Sequence, residues 1–244
     1  GKNAFGGTHT GTVCHYNTAV GDNALAGAMN GVDGATALGF NALEALTTGA
    51  GNTAVGWKAA TDITAGASNT AVGHGAMDGA MGTNSEDSSA NTAIGKDAMG
   101  GSWANQQLDD CVAVGQNAMS GALDNCDGTV AVGKSALAAL TSGAGNVAVG
   151  YQALSAQNND TGRNTAVGWS AGDLVVAGYQ NTLIGAESGT TGSNDLVGGY
   201  QNTLIGQATS VSAAGAINQT VIGRGTAGQA DNSVTLGNAS VAAV

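Results

Sequence analysis

Asn52-Thr53-Ala54-Val55-Gly56 returns along the whole chain with little change. Near copies are Asn17-Thr18-Ala19-Val20-Gly21, Asn69-Thr70-Ala71-Val72-Gly73, Asn91-Thr92-Ala93-Ile94-Gly95 and Asn164-Thr165-Ala166-Val167-Gly168. The glycine that closes each unit stands at Gly1, Gly21, Gly39, Gly56, Gly73, Gly95, Gly115, Gly133, Gly150, Gly168, Gly185, Gly206, Gly223 and Gly237. Thirteen intervals separate these fourteen glycines, running from 17 to 22 residues with a last one of 14. A period of this length predicts a stacked array of coils in place of a domain with one central core.

Inside the unit, the residue before the glycine is always aliphatic, and the residue two places earlier is always β-branched. Ala lies between them in nine consecutive copies, from Ala19 to Ala166, and Leu183, Leu204, Val221 and Thr235 take its place later. Alternation at period two with β-branched residues predicts a short strand. The Thr and Val positions are expected to face the core. The Ala column on the opposite face is expected to meet a closely approaching neighbour. Past the glycine, Ala recurs at the third place (Ala24, Ala42, Ala59, Ala76, Ala98), and the next residue is in most copies larger (Leu25, Leu43, Met77, Met99), which suggests a second short strand. Gly, Asn, Ser and Asp fill the connections, as turn chemistry requires. The fold expected is all-β, a parallel β-solenoid or β-roll of about 13 short coils.

Each coil then offers few large apolar side chains, since only 4% of residues are aromatic. Coils so thin are expected to gain stability by association through the Ala face, with a homotrimer as the preferred number. Coils stacked at strand spacing would make a rod of about 60 Å. Block copying is also visible. The spacings from Gly1 to Gly56 recur from Gly95 to Gly150, so residues 1–73 and 95–168 form a super-repeat shifted by 94 residues. Gly178-Tyr179-Gln180-Asn181-Thr182-Leu183-Ile184-Gly185 is duplicated as Gly199-Tyr200-Gln201-Asn202-Thr203-Leu204-Ile205-Gly206. The expected division is a repeat shaft over 1–223 and a terminal coil over 224–244 that leads to a further C-terminal region.

Composition narrows the function classes. Gly numbers 42 without the collagen triplet, and Pro is absent. The formal charge of −11 argues against nucleic acid or an anionic membrane as partner, and no apolar run is long enough to span a membrane. The three cysteines Cys14, Cys111 and Cys126 are too few for a disulfide framework.

The N-T-A-V-G-x-x-A-L units resemble the repeat segments of phage and other viral tail fibres. They are also similar to the head repeats of trimeric autotransporter adhesins, whose unit ends in S-V-A-I-G. The stretch 231–244, with Asp231-Asn232-Ser233-Val234-Thr235-Leu236-Gly237, resembles the run that precedes the self-cleaving intramolecular chaperone of many tail fibres. The resemblance implies a homotrimeric β-roll on a virion or other extracellular surface that attaches to a host receptor, glycan or protein.

Candidate chemistry is sparse. No nucleophile elbow, P-loop or H-E-x-x-H occurs, so no catalytic residue and no cofactor is expected and the chain does not read as an enzyme. His15 beside Cys14 lacks the second pair of a zinc site. Acidic turns at Ser85-Glu86-Asp87, Asp109-Asp110, Asp124 with Asp127, and Asn159-Asp160 offer oxygen ligands that calcium favours, but the calcium-binding nonapeptide repeat is absent and solvated turns account for most of them. Asn218-Gln219-Thr220 and Asn238-Ala239-Ser240 are glycosylation sequons.

The place just after each glycine is the variable column: Asp22, Phe40, Trp57, His74, Lys96, Gln116, Lys134, Tyr151, Trp169. Such diversity predicts solvent exposure. Phe40, Trp57, Tyr151 and Trp169 are the candidate glycan contacts, since aromatic faces stack on sugar rings; rings covering a seam between chains are the alternative. The long connections 78–90 and 190–200 are further candidates. The leading function is a structural, receptor-binding viral fibre, with a bacterial trimeric adhesin as its nearest alternative. A different class, the ice-binding β-solenoid, is suggested by the Thr column Thr18, Thr36, Thr53, Thr70 and Thr92. A polysaccharide-cleaving spike would need a pair of acids across a groove, and no such pair is evident in the repeat.

Overall fold

The computed structural model describes residues 1–9, 11–79, 88–103, 108–158, 162–191 and 194–241. Among them every named element is a three-residue β-strand. The chain forms two compact units, 1–128 and 129–244. The first contains β1 (Thr18–Val20), β2 (Thr36–Leu38), β3 (Thr53–Val55), β4 (Thr70–Val72), β5 (Thr92–Ile94) and β6 (Val112–Val114). The second contains β7 (Val130–Val132), β8 (Val147–Val149), β9 (Thr165–Val167), β10 (Thr182–Ile184), β11 (Thr203–Ile205), β12 (Thr220–Ile222) and β13 (Val234–Leu236).

Within each unit consecutive strands pair in parallel and in register: Thr36 on Thr53, Ala37 on Ala54, Leu38 on Val55, and likewise Thr182 on Thr203 and Ile184 on Ile205. The fold is a parallel β-solenoid, one strand per coil, as the repeat predicts.

The two strand faces are the reverse of the expectation. Ala37, Ala54, Ala71, Ala93, Ala113, Ala131, Ala148 and Ala166 are wholly buried inside the coils. The residues before the glycines point outward, and Val20, Leu38, Ile94, Val167, Ile184, Ile205, Ile222 and Leu236 are exposed, with the Thr column beside them. The Ala column therefore cannot be the contact between chains. Its smallness serves the coil's own interior, where Leu25, Leu43, Met77, Met99, Met119, Leu137 and Leu154 fill the space opposite.

Among the described residues no second strand follows the glycine. Phi is positive at Asn41 and Leu43, at Asp97 and Met99, and at Asn117 and Met119, so the segment turns at every other residue. The reason is packing. Ala42 and Leu43 are both fully buried, and a strand would send one of two successive side chains outward. Hydrogen bonds still tie the turn to its neighbours, Asn41 N–H donating to Asp22 O at 3.0 Å and Leu43 N–H to Ala59 O at 3.1 Å. Left-handed backbone at Leu or Met is uncommon and persists here because both side chains reach the core.

The closing glycine is fixed by contact as well as by conformation. Gly56 has a φ of +143°, and a Cβ there would lie 2.2 Å from Gly73 O. Only a residue without a side chain lets consecutive coils approach this closely.

The Asn of N-T-A-V-G is the buried staple of the coil, a role that strand alternation alone does not reveal. Asn69 Oδ1 accepts the Asn91 N–H at 3.0 Å, and Asn69 Nδ2 donates to Ser88 O at 2.8 Å. The pattern repeats at Asn164, Asn181 and Asn202 in the second unit. Cys111 replaces Asn in this ladder: its N–H still donates to Asn91 Oδ1, but its thiol reaches Cys126 O at 3.2 Å.

Candidate functional site

The outer surface holds two features that the repeat builds in every coil: the Thr–aliphatic strand face and the variable column after the glycine. The column is held in register by the turn. In the first unit Lys58 N–H donates to Phe40 O, Gly75 N–H to Trp57 O and Asp97 N–H to His74 O, at 2.8, 2.9 and 2.9 Å. Side chains one coil apart thus stand side by side.

Phe40, Trp57 and His74 form one stack, with ring centroids 6.2 and 4.5 Å apart and interplanar angles of 16° and 21°. Tyr151 and Trp169 form another in the second unit, 6.2 Å apart and 8° from parallel. The structure brings the four sequence-derived candidates together as two pairs, and all four are exposed. The rings are turned toward one another along the stack, however, so much of the face that a sugar would use is shared with the neighbouring ring. Within each stack the rings support one another, at about 0.5–1.5 kcal/mol per pair beyond area burial.

Charges gather beside the first stack. Lys58 Nζ lies 5.0 Å from the centre of the Trp57 ring, His74 Nδ1 is 3.8 Å from Asp97 Oδ1, and Lys96 Nζ is 2.8 Å from Asp97 Oδ2. Burial raises the carboxyls of Asp62 and Asp78 above the ordinary range, while the Lys58 ammonium pulls both down. Beside the second stack, burial raises Asp173; hydrogen bonds with Ser170 and Thr190 oppose this, and Asp195 and Glu187 add to it.

A third aromatic pair lies outside the variable column. Tyr179 and Tyr200 stack at 4.7 Å and 7°, on the other side of the strand from the variable column. The signal was the duplicated G-Y-Q-N-T-L-I-G, which sets both tyrosines at one register. Gln201 Nε2 donates to Gln180 Oε1 at 3.2 Å beside them.

Two carboxylates of the acidic turns hold adjacent coils, whereas Asp124 Oδ1 is buried without a hydrogen-bond partner among the described residues. Asp109 Oδ1 accepts the Ser89 N–H at 2.7 Å, and Asp127 Oδ1 accepts the Asp109 N–H at 3.0 Å. Among the described residues no group of three or more His, Cys, Asp or Glu is placed to hold a metal ion. Ser85-Glu86-Asp87, Asn159-Asp160 and parts of the 78–90 and 190–200 connections lie outside the described residues. His15 Nδ1 faces Asp33 Oδ1 at 3.2 Å. In the sequons, Asn218 Nδ2 donates to Asn232 Oδ1 and Asn238 Nδ2 to Arg224 O. Among the described residues no helix is long and apolar enough to cross a membrane.

No family model matches the chain, and no curated protein aligns with it significantly.

Proposed function

We propose that the chain is a shaft segment of a homotrimeric viral fibre, carried on a virion or other extracellular surface, that attaches to a host-surface glycan. The observation that carries this reading is the outward strand face. In every coil it presents a β-branched residue and an aliphatic residue to the outside, and no charged side chain belongs to either column. A net charge of −11 would oppose the meeting of copies through most other surfaces. An exposed face of this kind, uncharged and half aliphatic within each unit, marks an interaction surface, and a repeated face is complementary to further copies of itself. The contact is thus moved from the Ala column to the Thr–Val column. The variable column remains outside it and supplies the aromatic groups for recognition. A bacterial adhesin shares all these physical requirements and differs only in what carries it.

Fluorescently labelled chain is predicted to adhere to cells of a susceptible bacterium and to be lost when periodate destroys the surface glycans. Absence of adhesion across a broad bacterial panel would overturn the attachment reading.

One observation favours a second reading, the ice-binding solenoid. Thr36, Thr53, Thr70 and Thr92 do face outward, in register, beside an aliphatic column, at the ~4.8 Å spacing of strands. Thermal hysteresis in the isolated chain would support it, and a burial of this face between copies would remove it.

A further inference from the structure

The second aromatic stack ends differently from the first. Beyond His74 the variable column continues with Lys96, but beyond Trp169 it continues with Ala186 and then Gln207. The register is fixed by hydrogen bonds: Glu187 N–H donates to Trp169 O at 2.8 Å, Ala208 N–H to Ala186 O at 2.9 Å and Gly225 N–H to Gln207 O at 2.9 Å. Trp169 therefore has Tyr151 on one face and only a methyl group at the next position on the other. At 52% it is the most exposed of the stacked candidates, against 40% for Tyr151 and 44% for Trp57.

Two coil rises separate Trp169 from Gln207, about 9.5 Å of backbone spacing. A flat ring between them needs two van der Waals separations of roughly 3.5–4.0 Å each, so one ring fits with Ala186 as the floor. Glu187, half-buried beside Ala186, and the exposed amide of Gln207 supply an acceptor and a donor–acceptor pair at its edge. Glu187 and Asp195 bear electrostatically on Asp173, so these carboxylates share a neighbourhood that repels an anionic ligand.

We infer that the slot over Ala186, between Trp169 and Gln207, binds one uncharged hexopyranose residue of a surface polysaccharide, stacked on the open face of Trp169. This rests on the glycan-attachment reading and assigns it one site and one sugar class. Acidic sugars are excluded by the carboxylates. Tyr151 acts as a positioning residue, holding the indole plane upright from behind.

The test is binding of the full chain to a printed array of neutral and acidic oligosaccharides, followed by titration in solution with the neutral oligosaccharide bound most strongly, and with oligogalacturonate. Wild type should bind a neutral oligosaccharide and not oligogalacturonate. Trp169→Ala removes the platform and Ala186→Phe fills the slot by extending the stack, so each should weaken binding by about tenfold or more. Gln229→Ala, at an exposed residue outside both aromatic stacks, should bind within twofold of wild type. Unchanged affinity in both slot variants overturns the site while leaving glycan attachment standing. Binding of wild type to acidic sugars alone, or to no sugar on the array, also overturns it. The cell-adhesion assay then separates the two failures, since adhesion that persists retains the attachment reading and adhesion that is absent removes both.

Discussion

Asn69 Oδ1 accepts the backbone N–H of Asn91, one coil on, at 3.0 Å, and the Asn69 amide nitrogen donates to Ser88 O of that coil and to Asn52 Oδ1 of the preceding one. One side chain thereby satisfies buried groups in two coils, and Asn69 is itself buried. The repeat keeps Asn for this reason, since a hydroxyl cannot make both bonds at this reach.

Asn69→Ala is predicted to remove these bonds and leave the buried Asn91 N–H without its acceptor, at a cost of about 1–3 kcal/mol. Urea unfolding followed by circular dichroism measures it. A loss below about 0.5 kcal/mol would mean that the ladder contributes little.

Leu183 and Gly172 exchange volume across the interior. A Cβ on Gly172 would lie 2.5 Å from Leu183 Cδ1, whereas the preceding coil has Ala166 and Leu154 in the equivalent places. Gly172→Leu alone is predicted to clash, and Leu183→Ala alone to leave a cavity costing about 2–5 kcal/mol. The double variant restores the arrangement of the preceding coil and should recover more than about 1 kcal/mol of the summed loss. Strict additivity in a double-mutant cycle would contradict the inward placement of this column.

Burial pushes the Cys126 thiol up to about 12, although a backbone hydrogen bond at Asp124 acts in the other direction. The thiolate is the reactive form, so iodoacetamide at pH 8 should label half-exposed Cys14 and spare Cys126 in the folded chain. The folded value lies above the ordinary 9.0. Stability linked to this thiol is therefore complete below about pH 9 and falls as pH rises toward 12. Wild type should lose stability relative to Cys126→Ala over that window, and a constant difference from pH 8 to 11 would refute the assignment.

Asp78 is likewise raised, first by burial and then by Asp62 and Asp97, against the pull of Lys58 and His74. Its contribution to folding is greatest below the ordinary carboxylate value and is lost as pH rises through its folded value. Asp78→Asn should therefore be more stable than wild type at pH 7 and show no advantage at pH 3. Thermal melts at the two values decide it.

The coil period, the strand in each coil and the glycine register were all legible in the sequence, because each follows from spacing. The strand faces were not, because neither alternating column carries a charge and Ala is at home in either place. The deciding signal was present at Gly172 and Gly189, where the Leu or Met after the turn disappears and the Ala column becomes Leu183 and Leu204. Those changes compensate only if they share an interior. Ala42-Leu43 similarly carried a warning against the second strand, as two successive apolar residues cannot both face inward from one. The aromatic register could be read off directly, but the mutual covering of Phe40 and Trp57 depends on side-chain rotamers that spacing does not encode.

The outward aliphatic column makes the assembly claim sensitive to single charges. Ile184 and Ile205 are exposed and form no part of the interior, so Ile184→Lys with Ile205→Lys should fold with an unchanged circular-dichroism spectrum while losing association. Loss of folding together with association would place these residues in the coil's own core.

Sedimentation equilibrium of the wild-type chain tests the central claim most directly. The account predicts a species of three times the 23.3 kDa chain mass, reduced to one chain by the Ile184→Lys/Ile205→Lys pair. A wild-type chain that sediments at 23.3 kDa across all concentrations would contradict it.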